Sequence, residues 1–102
     1  MANSYGTNPI YLDTFAAALN LGELLFNDPN ALFYVQAIEW QNPTTQNHTA
    51  TITTNAGIPV FDEKVDAAVP EHHFNEFSGV AFRGLKLGAG AVDSGAIAIF
   101  LV

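Results

Sequence analysis

The side chains best suited to chemistry in this chain are three histidines, ten carboxylates and a few serines. His72 and His73 are adjacent, with His48 well before them. Three imidazoles could make a zinc site. Neighbours on a strand point to opposite faces, however, so His72 and His73 cannot easily share one ion. The pair reads as part of an exposed crossing segment, with a pH-sensitive contact as its chemical option. Asp62-Glu63-Lys64-Val65-Asp66 gathers three acids, but it lacks the glycine and the ligand spacing of a calcium loop. A glycosidase pair needs two carboxyls facing each other across a cleft. Ten acids supply pairs too freely for spacing to single one out. Ser78-Gly79 and Ser94-Gly95 carry no nucleophile motif and read as turns. Gly88-x-Gly90 is not followed by a helix start, which a phosphate cradle requires. Arg83 and Lys86 are the one close pair of cations, suited to an acidic patch on a neighbouring copy. Trp40-Gln41-Asn42 sets an aromatic ring beside amides, the mixture that a bound sugar would use. No catalytic residue, metal or cofactor is expected from these patterns.

Charge and composition narrow the classes further. The net charge is −7, and the only basic residues are Lys64, Arg83 and Lys86. Neutralising a nucleic-acid backbone takes clustered Lys and Arg, so neither nucleic acid nor an anionic membrane surface is an expected partner. There is no cysteine, hence no disulfide framework and no thiolate metal site. The first residues lack the basic-then-apolar layout of a signal peptide, and no apolar run approaches the ~20 residues of a membrane helix. Only 13% of residues are charged while 49% are hydrophobic. A surface so weakly charged is poorly protected against self-association.

The elements that must position these residues read mostly as strands. Residues 1–8 are polar and form an arm that could reach a neighbour, and a single domain follows over 9–102. Residues 13–26 allow two readings. One is a helix capped by Asp13 or Thr14. The other is a strand over about 10–21, then a turn or one helical turn at Glu23–Phe26. Asn20 and Gly22 weaken a helix interior and favour the second. Asn27-Asp28-Pro29-Asn30 is a turn. In the run Ala31–Trp40, strict alternation puts Leu32, Tyr34, Ile38 and Trp40 on one face. Phe33, Val35 and Ala37 fall on the other. A strand apolar on both faces belongs inside a sandwich or at an interface. His48–Thr54 and Ile58–Val65 form a hairpin around Asn55-Ala56-Gly57, with Pro59 marking an edge strand. Asp66–Phe77 is irregular. Val80–Leu87 is a strand whose parity break at Gly84 suggests a bulge, which would set Arg83 and Lys86 side by side on its outer face. Ala96–Val102 is the last strand. Short strands with regular turn signals indicate an all-β chain: an antiparallel, jelly-roll-like β-sandwich of six to eight strands.

Three segments carry a resemblance: Ile38-Glu39-Trp40-Gln41-Asn42-Pro43-Thr44, the hairpin Thr49–Phe61, and the closing Phe77-Ser78-Gly79-Val80 with Ser94-Gly95-Ala96-Ile97-Ala98-Ile99-Phe100-Leu101. Together they resemble a group of small bacteriophage virion structural proteins of the capsid decoration, or cement, type. The resemblance implies a non-enzymatic subunit made in the host cytoplasm and carried in the virion. Its partners would be copies of itself, as a trimer or other ring, and virion proteins such as the major capsid protein. The expected contact residues are Tyr5, Phe33, Val35, Trp40, His72, His73, Phe74, Arg83 and Lys86. A carbohydrate-binding sandwich centred on Trp40 is the alternative.

Overall fold

A computed structural model describes residues 3–4, 6–65 and 73–102. Tyr5, His72 and most of the expected crossing segment lie outside the described residues. The strands are β1 (Ile10–Leu12), β2 (Leu19–Asn20), β3 (Leu32–Gln41), β4 (Thr49–Thr53), β5 (Pro59–Lys64), β6 (His73–Arg83), β7 (Lys86–Leu87) and β8 (Ala96–Leu101). One short helix, α1 (Leu21–Phe26), follows β2 directly. The strand expected over about 10–21 is instead two strands, β1 and β2, in different sheets with residues 13–18 between them, and the helix runs Leu21–Phe26. Asn20 ends β2 with an extended backbone and caps the helix, its side-chain oxygen accepting the Glu23 N–H.

The strands form two four-stranded antiparallel sheets, in the orders β1-β8-β3-β6 and β2-β7-β4-β5. Every first-half strand pairs with its counterpart from the second half: β1 with β8, β2 with β7, β3 with β6, β4 with β5. A long ribbon folded at β4–β5 and rolled so that alternate pairs fall in opposite sheets gives this order. It is a jelly roll.

The core lies between the sheets. It is built from Ile10, Leu12, Phe33, Val35, Ile38, Trp40, Ile97 and Ile99 of the first sheet against Ile52, Phe61 and Leu87 of the second, with Leu21 and Leu85 at the junction. In β8, Ile97 and Ile99 face inward. Ala98 on the outer side is also buried, because its single methyl sits in register between Tyr11 and Glu39.

Two expectations about strand parity change. β3 is not apolar on both faces by alternation. The register shifts between Val35 and Ala37 against both neighbours, so Gln36 is bulged out. The extra residue turns the pattern over. Phe33 and Val35 before it, and Ile38 and Trp40 after it, all face the core, whereas Leu32, Tyr34 and Gln36 are exposed. At Gly84 there is a corner rather than a bulge. β6 ends at Arg83 in one sheet and β7 begins at Lys86 in the other. Gly84 turns the chain with φ of +81°, and a Cβ there would lie 2.4 Å from the Pro29 carbonyl oxygen. Arg83 and Lys86 therefore do not share a strand face. The Ser78-Gly79 turn residues lie inside β6, both at positive φ, where the strand has three residues opposite Gln36.

The N-terminal arm, expected to reach a neighbour, is tied to its own chain where it is described. Ser4 and Tyr11 exchange backbone hydrogen bonds of 2.8 and 3.0 Å. The Asn3 side chain accepts from the Asp13 and Thr14 N–H groups, and that of Asn8 both donates to and accepts from the Leu101 backbone. The arm thereby covers the open edge of β1, a standard guard against edge-to-edge pairing.

Candidate assembly interface

The chemistry-bearing residues are spent mainly on holding the fold. Trp40 is 0% exposed, and its indole N–H donates to the Ser94 carbonyl at 2.8 Å. The Ser94 hydroxyl in turn takes the Thr44 N–H and lies 2.8 Å from His48 Nδ1. This triangle locks the β3–β4 loop to the β7–β8 loop. His73 faces inward opposite Trp40 in β6, its ring stacked on the indole at 5.3 Å. Its Nδ1 is 3.2 Å from Glu63, whose second oxygen accepts from Asn75. Glu63 is on β5 and the other two are on β6, so the cluster joins the edges of the two sheets. Asp93 accepts from the Thr49 backbone and hydroxyl. Among the described residues no three acidic, histidine or cysteine side chains converge on one point.

The expected contact residues separate accordingly. Phe33, Val35 and Trp40 are core residues of their own chain and offer no surface to a partner or a sugar. Bulging at Gln36, which sequence alternation cannot register, is what turns them inward. His73 is half-buried in the inter-sheet cluster. Phe74 is exposed on the outer face of β6, near Phe100. Arg83 is exposed at the end of β6, and Lys86 is half-buried on β7. Tyr5 and His72 lie outside the described residues.

The surface itself has a clear polarity. Three connections meet at one end of the sandwich: the α1 segment with turn 27–30, the β4–β5 hairpin tip, and the Gly84 corner. Asn55 ties them, accepting from Asn20, donating to Asn30 Oδ1 and giving its N–H to the Arg83 carbonyl. We call this end the α1 pole. Leu24 (53% exposed), Phe26 (59%), Leu32 (45%) and Ile58 (63%) sit on it. Tyr34 and Val102 extend the patch onto the adjoining sheet, Val102 donating its N–H to the Tyr34 carbonyl. Val80, exposed on the edge strand β6, pairs with Val35 and so lies on the sheet face opposite to Tyr34. Among the described residues, Phe74 is the one large exposed apolar side chain that lies toward the opposite end. Patches of this kind mark contact surfaces.

Sequence reading missed Leu24, Phe26 and Ile58. A signal was present, because Leu24-Leu25-Phe26 puts three apolar residues in one helical turn, and consecutive residues in a helix cannot all face inward. Ile58, directly after a turn glycine and before Pro59, is likewise an apolar residue at a hairpin tip.

A groove of about 820 Å³ runs beside the pole, between α1, β2, β7 and β4. Leu19, Leu24 and Leu87 give it apolar walls, while Glu23, Thr53 and Lys86 supply polar ones. No family model matches the chain, and no curated protein or solved structure matches it.

Proposed function

We propose that this chain is a structural subunit of a bacteriophage virion, a capsid decoration protein that associates with copies of itself and with shell proteins and has no catalytic role. The observation that carries the reading is the gathering of exposed apolar side chains at one end of the jelly roll, while His48, His73, Trp40 and Ser94 serve the fold. A surface built that way is a contact surface rather than a reaction site. The step from contact to virion draws on the resemblance of segments 38–44, 49–61, 77–80 and 94–101, and on the fold-level analogy that jelly rolls recur in capsid proteins.

The test is to add the purified chain to phage shells assembled without it and to follow co-sedimentation and the heat resistance of the particles. Saturable binding with more heat-resistant shells is expected. A chain that leaves every shell unbound and unchanged would sink the reading. No observation favours the sugar-binding alternative, since the Trp40 ring is closed to solvent and its N–H is already taken.

A further inference from the structure

We propose that the α1 pole is a contact between copies of this chain, packed pole to pole about a rotation axis. It deepens the reading above by naming the surface through which the subunit would associate. The occupant is argued first from charge. Among the described residues the charged groups on the pole are Glu23, Asp28, Arg83 and Lys86, two of each sign. The remaining described charges, on Asp13, Glu39, Asp62, Glu63, Glu76, Asp93 and Lys64, leave the rest of the molecule strongly negative. Two copies approaching by the rest of the molecule would on balance bring like charge together. At the pole they do not.

The pole is also complementary to itself. The side chains of Glu23, Arg83 and Lys86 form no ion pair or hydrogen bond among the described residues, so both signs stand unpaired on one patch. A two-fold rotation axis faces such a patch with its own copy, where residue i meets j and j meets i. Glu23 of one copy then meets Lys86 of the next. Shape agrees. The Ile58 tip is a projecting apolar knob on a hairpin braced by Thr54, which accepts the Ile58 N–H on its side-chain oxygen and donates its own N–H to the Ile58 carbonyl. The neighbouring groove, with Leu19, Leu24 and Leu87 in its walls, is an apolar receptor for that knob.

The experiment is sedimentation velocity of the full chain across a concentration series, beside Ile58→Asp, Lys86→Glu, the exchanged pair Glu23→Lys with Lys86→Glu, and Phe74→Asp as a control at the far end. The wild type is expected to associate. Ile58→Asp and Lys86→Glu should each weaken association at least tenfold, the exchanged pair should recover most of the loss, and Phe74→Asp should leave it unchanged. Trp40 emission reports whether each variant is folded, and Lys86→Glu, on the surface of β7, serves if Ile58→Asp does not fold. A wild type monomeric throughout, or pole variants that associate as well as wild type, overturns the proposal. Shell binding separates the two readings. A monomer that still binds shells refutes the pole contact alone, whereas an associating chain that binds no shell refutes the virion reading alone.

Discussion

Asn55 shows how single residues hold the pole together. Its amide links Asn20 and Asn30 while its backbone N–H is given to the Arg83 carbonyl. Replacing it with Ala should cost about 0.5–1.5 kcal/mol, because two part-exposed side-chain bonds are lost while the backbone bond stays, and urea unfolding would read the loss. Gly84 is more demanding. A side chain there meets the Pro29 carbonyl oxygen at 2.4 Å and the Asn55 Cβ at 2.9 Å, in a backbone with φ of +81°. Gly57 has a similar φ of +89° and open space around it. The left-handed conformation costs a non-glycine residue about 1–2 kcal/mol, and overpacking adds about 1–3 kcal/mol. Gly84→Ala should therefore destabilise clearly more than Gly57→Ala, and equal unfolding midpoints would refute the clash. Trp40, the only tryptophan, is a built-in probe. Its emission should be blue-shifted, resist quenching by acrylamide and ignore added sugars.

At the scale of elements, the bulge at Gln36 decides what β3 buries. Phe33 and Val35 on one side of it and Ile38 and Trp40 on the other share the core face only because one residue is extra. Deleting Gln36 would send one of those pairs to the outer face, since a one-residue slip moves every following side chain across the sheet. The deletion variant is expected to be insoluble or molten, with red-shifted Trp40 emission, whereas Gln36→Ala should fold normally. How legible each element is follows the same logic. The β4–β5 hairpin and β8 could be read directly, because turn chemistry at Asn55-Ala56-Gly57 and Ser94-Gly95 brackets regular strands. The Pro59 strand proved to be an edge strand, β5. β3 was misread in parity because alternation carries no mark of where a bulge falls. The strand expected over 80–87 was misread because a glycine at positive φ serves a bulge and a sheet-switching corner equally well.

At the scale of the whole molecule, the separation of apolar and acidic surface would govern the proposed pole contact. Contacts between copies oppose a net charge of −7 on each. Salt screens that repulsion, the Debye length falling from about 10 Å at 0.1 M to about 3 Å at 1 M, while leaving apolar burial intact. Association through the pole should therefore hold or strengthen as sodium chloride rises over this range. A steep loss of association in salt would mean that ion pairs rather than apolar burial dominate the contact.

The sequence alone determined that the chain is an antiparallel β-sandwich of the jelly-roll kind, because period-two burial and turn residues act over a few neighbouring positions and leave their mark there. It also determined the weak, acidic charge of the surface, which is a matter of composition. The tertiary structure decided which apolar residues are spent inside and which remain outside. Trp40 and Phe33 went to the core, and Leu24, Phe26 and Ile58 came together although up to 34 residues separate them along the chain. That outcome depends on a bulge, a corner and the rolling of one ribbon into two sheets, and each of these moves distant residues together without changing the local pattern of either.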